Sequence, residues 1–167
     1  MLKKILLPAA ITALVFGLIN NKKRKALPML GEKAPSFRAR STKGYINFPY
    51  DYKGSWTVFF SHPADFTPVC TTEFMTFEAM SDEFAQINTK LLGLSVDSLN
   101  SHLAWLKDIK DNIDYKGMNE IDVDFPVIDD LNGKIAKKYG MIQPKADDTK
   151  TVRAVFRVIL VWESQEY

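Results

Sequence analysis

Cysteine is almost missing from this chain of 167 residues: there is one, Cys70, alongside only two histidines, His62 and His102. A single cysteine cannot make an intramolecular disulfide, so no bridge staples the fold, and a reducing compartment or indifference to oxidation is expected. Two histidines about 40 residues apart with one cysteine do not have the spacing of a zinc site, and no metal is expected. No internal repeat or low-complexity stretch is present. Excess charge of one sign is confined to the start, where residues 1–25 hold Lys3, Lys4, Lys22, Lys23, Arg24 and Lys25 and no acid. The remainder has 16 bases against 20 acids. A body with that acidic balance and no basic run lacks the electrostatic footprint of a nucleic-acid binder.

A hydrophobic run of full membrane-spanning length is also lacking. Ile5 to Ile19 is nearly all apolar, but about 15 residues fall short of the roughly 20 that a spanning helix needs. The run has the length of a signal-peptide core, yet no Ala-x-Ala-like cleavage site follows it. Four bases after it outweigh two before it, which by the positive-inside tendency keeps the globular part in the cytoplasm. Residues 1–25 are therefore expected to be a hydrophobic segment with basic flanks, serving as anchor or signal, with membrane contact through residues 5–19. A cytosolic extension without a membrane role is the third reading. The expected location is the cytoplasm or the cytoplasmic side of a membrane, with export as the alternative.

What is present is an ordinary globular composition, 46% apolar and 25% charged, in a chain long enough for one core. Residues 26–35 read as a linker, so residues 26–167 are expected to form one domain. Short extended pieces are expected around Ser36–Arg40 and Tyr45–Phe48. Trp56–Phe60 is a continuous run of β-formers, as in a strand buried on both faces. From Cys70 to Ile87, Phe74, Phe77, Met80, Phe84 and Ile87 recur at helical spacing. Leu91–Val96 predicts the next strand, interrupted by Gly93. Ser98 is a suitable N-cap for a helix to about Ile113, with His102 on its core side. Phe125–Ile128 predicts a strand, Asn132–Tyr139 a helix stopped by Gly140, and Thr151–Val161 a last strand. Strands alternating with helices predict an α/β fold around a central sheet.

Cys70 falls in the connection after a strand, where active sites of such folds gather, and on the first turn of a helix. Unpaired backbone N–H groups and the positive end of the macrodipole face that position, an environment that favours the thiolate. Pro63, Thr67 and Cys70 stand at Pro-x-x-x-Thr-x-x-Cys spacing, with Glu73 three residues further on. A lone cysteine is more often a small buried hydrophobe than a nucleophile; this spacing reverses that preference. Gly54-Ser55 invites comparison with an esterase elbow, but Tyr52-Lys53-Gly54-Ser55-Trp56 does not spell Gly-x-Ser-x-Gly. Asp108, Asp111 and Asp114 read as a solvated helix face.

Asn47-Phe48-Pro49, Asp51-Tyr52, Gly54 and the run Phe60-Ser61-His62-Pro63-Ala64-Asp65-Phe66-Thr67-Pro68-Val69-Cys70-Thr71-Thr72-Glu73-Phe74 resemble the peroxiredoxins. The nearest group is the one-cysteine, peroxiredoxin-6-like branch of the AhpC/TSA family. The likeness continues through Leu94-Ser95-Val96-Asp97, Ser101-His102, Trp105, Phe125-Pro126-Val127-Ile128, Ala136, Tyr139-Gly140-Met141 and Thr151-Val152-Arg153-Ala154-Val155-Phe156. It implies a thioredoxin-like α/β fold with a central mixed sheet flanked by helices. It implies a thiol peroxidase for hydrogen peroxide and organic hydroperoxides, without a cofactor. By matching position Cys70 would be the peroxidatic nucleophile and Thr67 would hydrogen-bond thiolate and peroxide. Pro63 would shield the sulfur and Arg153 would supply a fixed positive charge.

Glu73 is expected to orient that arginine. His62 is expected in a supporting role, since the branch carries a histidine near its active site, while His102 is expected to be structural. The implied partners are a small peroxide and an external thiol reductant such as a thioredoxin-like protein, with a homodimer or larger assembly. After Phe156 the run Arg157 to Tyr167 no longer follows the family and reads as a truncation or a shifted frame. The alternative function is therefore a catalytically impaired thioredoxin-like redox sensor or binding module. A thiol–disulfide oxidoreductase is disfavoured, because no Cys-x-x-Cys pair is present.

Overall fold

The computed structural model describes residues 28–142 and 150–160. The expected hydrophobic segment of residues 1–25 and the final seven residues lie outside the described residues. Among the described residues no helix is long and apolar enough to cross a membrane.

A hairpin opens the fold: β1 (Phe37–Ser41) and β2 (Gly44–Phe48) pair antiparallel, with Ser41 opposite Gly44. Next come β3 (Trp56–Ser61), α1 (Pro68–Ala79), α2 (Ser81–Gln86), β4 (Thr89–Ser95) and α3 (Leu99–Asn112). The series closes with β5 (Val127–Asp129), α4 (Lys134–Tyr139) and β6 (Ala154–Ile159). The six strands form one sheet in the order β2-β1-β5-β4-β3-β6. β3, β4 and β5 run parallel at its centre, and β1 and β6 join antiparallel. The sheet is therefore mixed.

Strand pleating sends neighbouring side chains to opposite faces. Phe59 accordingly packs with Phe48, Leu92, Leu94, Ile128 and Tyr139. Phe60 packs with Cys70, Phe74, Met75, Trp105, Ile109 and Val127. The second cluster holds the residues of α1 and α3 against the sheet and surrounds the thiol.

Several boundaries differ from expectation. The helix expected from Cys70 starts at Pro68, because Thr67 is extended (φ −96°, ψ 140°) and proline suits the first helical position. It also ends at Met80 and restarts, so the predicted stripe does not stay on one face: Met80 and Ile87 are 42% and 66% exposed. β5 begins at Val127 instead of Phe125, since Pro126 has no N–H for the ladder. The last strand is Ala154–Ile159, because β3 ends at Ser61, the partner of Ala154; Thr151 instead bridges Ile142. Ser98 caps α3 as its sequence predicts, its Oγ accepting from the Ser101 N–H at 3.2 Å.

Gly93 does not interrupt β4; it makes room for the helix that carries the cysteine. A Cβ there would lie 3.4 Å from Phe74 Cζ, 3.5 Å from Phe60 Cζ and 3.6 Å from Val127 Cγ1. Alanine fits that space and the γ-methyls of valine do not. Gly93→Val is expected to cost about 1–3 kcal/mol by overpacking, read as a lower urea midpoint, with Gly93→Ala close to the parent.

Candidate active site

Two elements converge on Cys70. The first is the loop from the end of β3 into α1, which sets the thiol at the third residue of the helix. The second is the segment before β6, stitched to the end of β3 by side chains. Ser61 Oγ donates to the Val152 carbonyl at 2.6 Å and accepts from the Ala154 N–H at 3.3 Å. Thr151 Oγ1 donates to the His62 carbonyl. These bonds hold Arg153 beside the loop although 83 residues separate it from Cys70.

Arg153 Nη2 donates to Cys70 Sγ at 3.2 Å. Its Nε donates to both carboxylate oxygens of Glu73 at 3.1 Å. The hydrogen bond to Glu73 and the nearby sulfur hold the guanidinium above its ordinary basicity, against a smaller opposing effect of burial. Cys70 is fully buried in its apolar cluster, whereas the side chains of Arg153 and Glu73 are 44% and 38% exposed. The sulfur is thus approached by charge from the solvent side and by hydrocarbon from the core.

Thr67 is the N-cap residue, and its carbonyl accepts from the Thr71 N–H at 3.0 Å. Its hydroxyl donates to the Ala64 carbonyl at 3.0 Å, not to the sulfur as the family resemblance led us to expect. The one hydroxyl proton is committed within the loop, and the oxygen lone pairs remain to accept. Pro63 is half-buried at the start of the same loop.

His62 is 1% exposed and its ring packs edge-on to Phe74 and obliquely on Trp105, with centroids 4.9 and 5.1 Å apart. Its Nε2 lies 2.9 Å from Asp65 Oδ1. The same carboxylate meets His102 Nδ1 at 2.9 Å, so the histidines that the sequence kept apart share one acid. His102 Nε2 faces the Ile128 carbonyl at 3.2 Å. Burial alone would raise the Asp65 carboxyl; hydrogen bonds from His102 and His62 outweigh it and bring the carboxyl down to about 2. These three residues are the one group with metal-ligating atoms in proximity among the described residues. Both nitrogens facing the carboxylate sit at N–H···O distance, so the group reads as a hydrogen-bonded triad.

Sequence reasoning passed over Asp65, although it sits three residues after His62 and is the one acid between Ser61 and Cys70. That isolated acid was the available signal. Because its folded value lies below the ordinary carboxylate value of 3.8, Asp65 contributes stability that is complete above that value and is lost as pH falls toward about 2. The unfolding free energy of the parent is expected to drop by about 2 kcal/mol more than that of Asp65→Asn between pH 5 and pH 2. Urea titrations at both ends of that range measure the difference.

Other sequence candidates fall elsewhere. Ser55 is 9% exposed and donates to Asn88 Oδ1 at 3.0 Å, so it is occupied in a turn. Asp108 and Asp111 accept from Asn112 and Lys107 on the exposed face of α3. A cavity of about 480 Å³ is lined by Tyr52, Glu78, Phe84, Lys90 and Asp124 among others, and by no residue of the Cys70 group.

A buried sulfur at a helix N-terminus, met by a guanidinium that a carboxylate steadies, stands on a mixed-sheet α/β fold of thioredoxin-like architecture. The model of the AhpC/TSA family matches residues 30–159, and the chain belongs to that family. It is 62% identical over 130 residues to a peroxiredoxin of Methanosarcina mazei, covering 78% of this chain and 59% of that one. It is 53% identical over 131 residues to a peroxiredoxin of Aquifex aeolicus, covering 78% and 56%. The chain thus spans less than two thirds of the length of these relatives.

Among solved structures, a cysteine-to-serine mutant of the peroxiredoxin 6 of Arenicola marina superposes with a TM-score of 0.70 at 36% identity, covering 79% of this chain and 60% of that one. A yeast mitochondrial 1-Cys peroxiredoxin, studied for thiol resolution via glutathione/thioredoxin systems, superposes at 0.69 with 40% identity, covering 80% and 63%.

Proposed function

We propose that the chain is a thiol peroxidase that reduces hydrogen peroxide and organic hydroperoxides. The observation that carries this reading is the Arg153 Nη2–Cys70 Sγ hydrogen bond of 3.2 Å at the first turn of α1. The Cys70 thiolate attacks the terminal peroxide oxygen. An S–O bond forms as the O–O bond breaks, and the departing alkoxide or hydroxide takes up a proton to leave as alcohol or water. The sulfur is oxidised by two electrons to sulfenic acid and the peroxide is reduced by two.

Arg153 and the free N–H groups of α1 oppose the negative charge that grows on the oxygens. Glu73 holds the guanidinium plane, and Thr67, its proton given to Ala64, accepts from the peroxide O–H. Pro63 covers the site from the loop side, and His62 supports it from beneath α1. A first external thiol condenses with the sulfenic acid, releasing water and leaving a mixed disulfide. A second thiol then frees Cys70. The yeast relative's glutathione/thioredoxin systems support a reductant of that class. Residues 26–167 act in this reading as one domain in the cytoplasm or on the cytoplasmic face of a membrane reached through residues 5–19, as a homodimer or larger assembly.

Stopped-flow consumption of hydrogen peroxide by the reduced chain, followed by mass spectrometry of the sulfur, tests it. A rate far above that of a free thiol, with one oxygen added at Cys70, is the expected result. A free-thiol rate in a folded sample overturns it in favour of a sensor or binding module.

A further inference from the structure

We propose that Asp65 and His102 are positioning residues of the Cys70 site: the shared carboxylate holds the Pro63–Thr67 loop in register and keeps His62 as its Nε2–H tautomer with a bare Nδ1. This rests on the peroxidase reading and adds to it two residues that touch neither sulfur nor substrate.

Four observations carry it. The side chains of Asp65, His62 and His102 are 2%, 1% and 0% exposed, so their bonds are made without competition from water. An ionised carboxylate only accepts, so each histidine nitrogen facing Asp65 is assigned as an N–H. His62 Nδ1 is the one buried side-chain nitrogen or oxygen among the described residues with no partner. A proton there would be a buried donor without an acceptor, whereas a proton on Nε2 is received by Asp65 at 2.9 Å. His102 is in turn seated at both ends, on Asp65 and on the Ile128 carbonyl of β5.

The backbone gives an independent sign of the same device. Phe66 follows Asp65 with φ +56°, a left-handed conformation that a bulky side chain rarely adopts and keeps only where its surroundings over-determine it. Asp65 supplies that constraint twice. Its carboxylate is held by the two rings, and its N–H donates at 3.0 Å to Asp97 Oδ2, which also accepts from Ser95 Oγ at 2.9 Å. Phe66 leads directly into Thr67, the N-cap of the helix bearing Cys70. A second tie runs from the same face of α3, where Trp105 Nε1 donates to Thr71 Oγ1 at 3.1 Å. The loop before α1 and Thr71, the residue after Cys70, are thereby set against β5 and α3 through buried polar bonds, which fix geometry more sharply than the surrounding hydrocarbon does.

Misplacement of a reacting group by about 1 Å costs on the order of 100-fold in rate, whereas generic alkylation of a thiol makes no comparable geometric demand. The experiment compares Asp65→Asn, His102→Leu and His102→Gln in the full chain. It measures peroxide rate, iodoacetamide rate, urea midpoint, and the His62 ring nitrogens by long-range proton–nitrogen correlation.

Asp65→Asn and His102→Leu are expected to lose about 10-fold to 100-fold in peroxide rate, with alkylation nearly unchanged. His102→Gln, which keeps a donor for the carboxylate, recovers most of the loss. His62 Nδ1 reads as a bare nitrogen in the parent and ceases to do so in Asp65→Asn. Unchanged peroxide rates in both Asp65→Asn and His102→Leu, or peroxide and alkylation rates falling together, overturn the proposal. So does a protonated His62 Nδ1 in the parent. A parent that reacts only at a free-thiol rate overturns the peroxidase reading instead, and the nitrogen spectra then decide the tautomer assignment by themselves. Should Asp65→Asn fail to fold, the two His102 variants carry the test.

Discussion

A Cys70→Ser chain is expected to consume peroxide no faster than buffer, and to show no added oxygen at residue 70 by mass spectrometry. The sequence contains no second cysteine to substitute for it. A serine hydroxyl at the same point would meet the same guanidinium and helix N-terminus, yet its oxygen is a far weaker nucleophile than sulfur. It also cannot take up oxygen as a two-electron reductant. The fold should survive the change, because Cys70 and serine differ little in volume and Arg153 still has Glu73. The urea midpoint is the control that separates lost chemistry from lost structure. Peroxide turnover retained in the serine variant would remove Cys70 from the mechanism and the thiol peroxidase reading with it.

Arg153→Met should be nearly as damaging to rate while sparing stability. Methionine keeps much of the apolar stem but removes the donor 3.2 Å from the sulfur. Removing one preorganised donor to a developing negative charge typically costs about 10²–10³-fold. The Arg153–Glu73 pair is half exposed, at 44% and 38%, so its loss is expected to change stability by no more than about 1 kcal/mol. Arg153→Lys should recover only part of the rate. A single ammonium cannot span both Glu73 oxygens and still reach Cys70 in the planar geometry that the guanidinium provides. The ratio of peroxide to iodoacetamide rate constants measures the effect, and an unchanged ratio in Arg153→Met would exclude Arg153 from catalysis.

Much of this was readable from residue order because the relevant physics is local. Trp56–Phe60 has strand composition, Ser98 has a side chain able to cap α3, and Gly140 takes the left-handed turn (φ 67°) that ends α4. Pro63, Thr67, Cys70 and Glu73 lie within eleven residues of one another, so one strand–loop–helix connection delivers them together. The family resemblance brought Arg153 into that group from a distant part of the chain. What went astray was a matter of packing. The apolar stripe from Phe74 to Ile87 follows helical spacing, but the chain breaks at Met80 because α2 must turn back to feed β4. His102 is buried in the core as its helical position predicts, but Asp65 was overlooked, since nothing along the chain says that residues 62, 65 and 102 meet.

Residue order alone placed the lone thiol in the first turn of a helix and set the alternation of strands and helices, because each depends on residues within a few positions of one another. Long-range pairing settled the rest. Antiparallel pairing of β6 with β3 brings Arg153 to the sulfur, and the sheet order sets α3 under the loop, so that one buried carboxylate holds two histidines. Those outcomes depend on which strands pair and in what register, and a register is settled by the burial of whole faces rather than by neighbours along the chain.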